Sequence, residues 1–446
     1  MRYEKYISVP DAIWFDVVPD SWRALKMRGV FSERNTKVSD KDYPALSVGK
    51  MGVVPQLDTA VKTDNGDNRK LICKGDFAIN SRSDRKGSSG ISQYDGSASL
   101  IITVLKPHRS LNGRFYHYLL RGHYFAEEFY RNGHGLVSDL WTTKWDEMRN
   151  IYIPVPPREE QDQIVRYLDW QVSKINKLIH GYQWKIKLLE ERRQTIIDQT
   201  SLEGVDGVKL IDSGTHWVKQ IPENWKMVYS KKLFAERKDK AFLNDEQLTA
   251  SQKHGVISQK EFMEKVGRRV TVVTKGGDIL KHVGKGDFII SMRSFQGGLE
   301  YSYVEGKISS AYVMLIPRKG LVYDEYFKWF LKSTPYIKAL QGTADLVRDG
   351  QALRYANFAK VPLPQVPIDE QKRIADYIEQ ETAKIDRAVP VLEKEIELLK
   401  EYCTRLISDV VTGQMDVRNV EVPEYTPEED IAEEAPEEQE VEMDAD

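Results

Sequence analysis

Cysteine is nearly missing from this chain: of 446 residues only Cys73 and Cys403 carry a thiol, and each is isolated in sequence. Two lone thiols exclude a disulfide framework and fit a reducing compartment, so a cytoplasmic location is expected. No apolar run approaches the length of a membrane helix, and no membrane partner is expected. Motifs that carry chemistry are absent too. There is no GxxxxGK[ST] phosphate loop, no Asn-Pro-Pro-Tyr or Asp-Pro-Pro-Tyr tetrapeptide, and "NGHGLVSD" lacks the GxGxxG spacing of a dinucleotide site. The 8 histidines, His117, His123 and His134 among them, match no common zinc pattern and read as core or surface residues. No metal site and no catalytic residue is expected.

What is present begins with charge. The net value of −3 hides an asymmetry: from Glu421 onward there are 13 acidic residues and no Lys or Arg. The remainder holds 65 basic against 55 acidic residues, a surplus of +10 that favours a polyanionic partner. Such an acidic stretch lacks the apolar residues to build a core and is expected to be disordered over 416–446.

The strongest signal is an internal repeat. "WFDVVPDSW" (residues 14–22) recurs as "WVKQIPENW" (217–225), and "KGDFAINSRS" (74–83) recurs as "KGDFIISMRS" (285–294). "IYIPVPPREEQ" (151–161) is answered by "VPLPQVPIDEQ" (361–371). The order is the same in both halves. "KGDF" reads as a turn feeding a half-buried strand, and the aromatic stripes of 113–130 and 323–340 read as helix cores. After each globular half comes a long amphipathic helix. Leu168, Val172, Ile175 and Ile179 in the first, and Ile378, Thr382, Ile385, Val389 and Leu392 in the second, keep the four–three rhythm of a coiled-coil seam. The prolines before each run set its start, and Pro390 predicts a kink or restart in the second.

The expected fold is therefore α/β (α+β): two similar mixed α/β domains separated by two long antiparallel helices forming a coiled coil, with pseudo-two-fold symmetry. The expected division is 1–157 for the first domain, 158–205 for the first spacer helix and its linker, 206–367 for the second domain, 368–415 for the second helix, and 416–446 for the acidic tail. Two related but unlike basic modules match double-stranded DNA, whose half-sites one helical turn apart lie about 34 Å from each other. Such a chain should read a bipartite, asymmetric target.

The helices "EEQDQIVRYLD" and "DEQKRIADYIE", the proline runs before them, the "KGDF" elements and "DSGTHWVKQIPENW" resemble the DNA-specificity subunit of type I restriction–modification systems over residues 1–418. That resemblance implies two target-recognition domains and helices that dock two methyltransferase (modification) subunits, joined by restriction (translocase–nuclease) subunits. It also implies that this chain binds no cofactor, with S-adenosylmethionine, ATP and Mg carried by those partners. The acidic tail departs from the family pattern. For base and phosphate contacts the candidates are Arg82, Arg85, Lys86 and Ser88 in the first domain and Arg293, Ser294 and Gln296 in the second. Arg82 and Arg293 have a second reading as braces of the repeated fold. The runs 237–242 and 267–275 are further basic candidates. For partner contacts the candidates are Glu160, Gln161, Glu370 and Gln371 at the helix starts, where helix capping is the competing reading, and Arg192, Arg193 and Arg405 on outer faces. The rival functions are a free-standing methyltransferase or nuclease with a duplicated DNA reader, and a coiled-coil adaptor without a nucleic-acid role.

Overall fold

The structure, a computed structural model, describes residues 2–57, 66–82, 87–108, 111–135, 141–251, 254–267, 280–291, 299–343, 346–347, 350–351 and 354–427. The described residues fall into two compact units, one running to Gln183 and including Glu393–Pro427, the other Trp184–Leu392.

In the first unit a four-stranded antiparallel sheet runs in the order Ser89–Ile91, Phe77–Asn80, Ile102–Pro107, Phe31–Glu33. The second unit builds the same sheet from Glu300–Tyr301, Phe288–Ser291, Tyr312–Pro317 and Phe234–Arg237. Even the register repeats, with Phe77 opposite Leu105 and Phe288 opposite Leu315, all four buried. The expected helices Gly113–Arg121 and Asp324–Phe330 cover these sheets, and Phe115, Tyr116, Tyr326, Phe327 and Phe330 vanish into the two cores. Burying an aromatic stripe of this kind supplies most of the driving force for each domain.

A two-stranded ribbon closes each domain: Arg23–Lys26 with Tyr152–Val155, and Lys226–Tyr229 with Pro362–Gln365. The chain leaves each ribbon through proline and enters a long helix at once, Arg158–Glu203 and Ile368–Val411. In the first unit Ile164, Leu168, Val172, Ile175 and Ile179 share one core with Leu406, Val410 and Val411, so the start of one helix lies against the end of the other. In the second unit Ile197 and Leu202 share a core with Ile374 and Ile378, again with opposite ends together. The helices thus pair antiparallel in both units, as the seam predicts.

Two expectations change. The second helix runs unbroken through Pro390, which lies exposed, so there is no restart. The buried residues on either side, Ile385 and Leu392, hold the helix through the one missing hydrogen bond. The stretch assigned to the tail also begins ordered. Val417 is 1% exposed, Met415, Val420 and Val422 pack on the first unit's core, and Gln163 donates to the carbonyls of Val417 and Val420 at 3.0 and 2.8 Å. Scattered valines among the charges were enough to anchor it. Residues 428–446 lie outside the described residues.

Candidate nucleic-acid interface

Each "KGDF" turn carries more than a turn. Asp76, 2% exposed, accepts from Nε of Arg34 at 2.6 Å, from its Nη2 at 3.1 Å and from the Cys73 backbone at 2.9 Å. In the second unit Asp287, 1% exposed, takes the same bonds from Arg237, with Nη2 at 2.9 Å, and from Gly284 N–H at 2.8 Å. Each guanidinium is held above its ordinary pKa by that carboxylate. A bidentate, buried pair fixes the turn, and with it the loop that follows the strand. Arg237 had been a candidate for DNA; it is engaged inside the protein. The duplication of Arg34 and Arg237 at one offset was readable in sequence, but nothing there links either to an aspartate about 40 to 50 residues on.

Of the DNA candidates, Arg82 is exposed directly after the strand Phe77–Asn80, its N–H bonded to Oδ1 of Asn80 at 3.1 Å and its backbone bridged to Thr142. Ser88 is 6% exposed, and its carbonyl accepts from Asn80 N–H at 2.9 Å beside the sheet edge. Arg85, Lys86, Arg293, Ser294 and Gln296, and the basic run from Arg268 to Lys275, lie outside the described residues.

His117 supports the same edge strand. Its Nδ1 accepts from Ile91 N–H at 3.5 Å, its Nε2 lies 3.1 Å from Arg121, and burial, helped by the Arg121 and Arg114 cations, pushes it down to about 3. The unfolded ring binds its proton near 6.5, so between those values the unfolded state holds more protons and stability falls as pH falls. Going from pH 7 to pH 5 should cost about 2 kcal/mol through this residue. Denaturant unfolding of the wild type and His117→Gln at both pH values checks it, and the variant should lose that part of the pH dependence.

At the helix starts, the four partner-contact candidates are buried and bonded within the protein, as the competing structural reading has it. Gln161 is 2% exposed; its Oε1 accepts from Asn112 N–H and its Nε2 donates to Pro156 carbonyl, both at 2.9 Å. Gln371, fully buried, accepts from Tyr323 N–H at 2.7 Å and donates to Leu321 and Val366 carbonyls at 2.9 and 2.8 Å. Glu160 accepts from the Tyr3 hydroxyl, and Glu370 from Asn224 at 2.9 Å. These four residues bolt each helix to its own domain and present nothing outward. Arg193 is engaged as well, paired with Asp386 at 2.9 Å and lying over the Trp329 ring. Arg192 and Arg405 are exposed. Sequence reasoning passed over the exposed apolar residues of the same helices, Trp184 and Leu188, Leu398 and Tyr402, 46–59% exposed, because they fall outside the seam.

Among the described residues no acidic, histidine and cysteine cluster could hold a metal ion, and no helix is long and apolar enough to cross a membrane.

Twice-built α/β units, each with a long helix rooted in it by a buried Glu-Gln pair, define the class of fold: a duplicated mixed α/β domain joined to a helical scaffold. No protein-family model matches the chain. It is 21% identical over 430 residues to the putative type I restriction enzyme MjaX specificity subunit of Methanocaldococcus jannaschii, covering 90% of this chain and 95% of that protein. It is 22% identical over 289 residues to the type I restriction enzyme MjaVIII specificity subunit of the same organism, covering 61% and 64%. In structure it is similar, with a TM-score of 0.64 at 14% identity, to a chain from a type I R-M system solved for its complex assembly and conformational transition, over 89% of this chain and 99% of that one. In sequence the chain is thus similar to type I restriction enzyme specificity subunits, and in fold to a chain of a type I R-M system.

Proposed function

We propose that this chain is the non-catalytic specificity subunit of a type I restriction–modification complex, recognising duplex DNA and assembling the modification and restriction subunits around itself. The observation that carries this reading is the duplication of sheet, buried Arg–Asp pair and helix root beneath surface loops of unlike sequence. One scaffold supporting two different loop sets is what reading an asymmetric two-part target requires. Residues 1–157 and 206–367 are the two readers in this proposal, with 158–205 and 368–415 as the helical scaffold. S-adenosylmethionine, ATP and magnesium fall to the partner subunits, while exposed Arg82, and with it Arg85, Lys86, Arg293, Ser294 and Gln296, remain the proposed DNA contacts.

The test is reconstitution. With modification subunits added, the complex should bind target duplex with a steep dependence on salt, since phosphate neutralisation releases counterions. Methyl transfer by the purified chain alone would assign the chemistry here instead, and a weak, salt-independent response of the full complex would leave only an adaptor.

The exposed apolar residues extend the proposal to docking, since large apolar side chains on an outer helix face mark protein contacts. Changing Trp184 and Leu188 together to Glu should lower the affinity for a modification subunit by about tenfold or more, read by titration of the purified subunits. Arg192→Ala should change it less, as a rim charge does.

A further inference from the structure

One loop of the second unit differs from its twin in a way the shared scaffold does not require. In the first unit the segment between Arg34 and Pro44 ends with Ser97 N–H bonded to Pro44 carbonyl; in the second, the segment between Arg237 and Glu246 ends with Lys307 N–H bonded to Glu246 carbonyl at 2.8 Å. The two loops are therefore equivalent, bounded by the same ion pair and the same return contact. At the tip the first carries Ser39, Asp40, Lys41 and Asp42. The second carries Phe242 and Leu243, 58% and 96% exposed.

An apolar tip of this kind costs solubility and does nothing for the core. It is nonetheless held rigidly. Phe242 N–H donates to Asp245 at 2.8 Å, its ring lies 4.5 Å from that of His282, and His282 is itself bonded to Asp245 at 2.8 Å. Ala241 N–H donates to Leu280 carbonyl at 3.0 Å and His282 N–H to Asp239 carbonyl at 3.0 Å. The charges around it are sorted. Asp239 is paired with Arg237 and Asp245 with His282; Lys238, with an 80% exposed side chain, lies 3.7 Å from Glu236, and Lys240 is exposed. Two exposed lysines close in sequence to an anchored Phe242 and a fully projecting Leu243 are the equipment of proteins that grip phosphates and press a wedge between base pairs.

Building on the DNA-reading function proposed above, we infer that the Phe242–Leu243 tip is an apolar wedge that enters a base step of the half-site read by the second unit. The first unit, with its polar tip, reads its half-site without one. Unstacking costs least at pyrimidine–purine steps, so the wedge adds a preference for such a step at one position of the second half-site.

The test uses the complex of this chain with its modification subunits and the target found by methylation mapping. Leu243 packs on nothing, so Leu243→Ser should leave the melting temperature of the chain unchanged. It should weaken target binding by about tenfold with the salt slope unaltered, since an apolar contact releases no counterions. Lys238→Ala with Lys240→Ala should instead flatten the slope by up to about 2. With 2-aminopurine placed in turn along the second half-site, wild-type binding should raise fluorescence at one step, and the Leu243→Ser complex should not. Wild-type-like affinity for Leu243→Ser overturns the inference, and so does lost affinity without a fluorescence change in the wild type. If Leu243→Ser reduces the modification subunit bound to the chain, the tip is a protein contact and the wedge is rejected. Absence of any sequence-specific binding by the wild-type complex overturns the proposed function along with it.

Discussion

Asp287→Ala should cost about 3–5 kcal/mol of folding stability, more than any exposed substitution in the chain. The carboxylate is 1% exposed and takes the Arg237 guanidinium and the Gly284 N–H; removing it leaves that cation, 18% exposed, with only the more exposed Asp239 as a partner. Asp76→Ala should do nearly the same through Arg34, 20% exposed. Burying two charges is itself expensive, so replacing both partners with apolar residues of similar size should recover most of the loss. Urea unfolding of the single and double variants measures this. Single variants within about 1 kcal/mol of wild type would mean the pair is solvated and does not set the turn.

Gln371→Ala is the second large effect. It removes the partner of Tyr323 N–H, of the buried Val366 carbonyl and of the part-buried Leu321 carbonyl, each costing about 1–3 kcal/mol when left unmade, so a loss of about 3–4 kcal/mol is expected. Gln161→Ala, which releases Asn112 N–H and the Pro156 carbonyl, should cost less. Gln371→Glu should not rescue, because an acceptor would then face the Leu321 and Val366 carbonyls where Nε2 donated. Hydrogen exchange would separate this from global weakening: protection should fall first at Tyr323 and in the opening turns of Ile368–Val411. If the outer face of the helix were what these glutamines serve, both variants would fold like wild type and lose only partner affinity.

These two cases show where sequence reading succeeds and stops. Heptad spacing at Leu168, Val172, Ile175 and Ile179 made the seam legible, because burial along a helix is periodic in the chain itself. The duplication made the two sheets legible in the same way. What stayed hidden was pairing across the fold: Asp76 with Arg34, Gln161 with Asn112, Gln371 with Tyr323. A polar residue at a helix start has the same one-letter appearance whether it caps the helix, greets a partner or fastens the helix to a domain. Only the distances decide. The burial of Ser88 was hidden for a related reason, since a polar, glycine-rich run looks like a loop up to the residue where it becomes a sheet edge. Leu243 was passed over because one exposed leucine carries no periodic signal; its meaning comes from the polar residues at the same place in the other unit.

Two unlike readers in one chain are what the proposed function requires, and methylation mapping tests that most directly. A host expressing the complete system should show a modified motif in two separated parts of different sequence. Replacing residues 206–367 with the matching segment of another specificity subunit should then change one part and leave the other as it was. A single contiguous motif, or an exchange that alters both parts together, would contradict it.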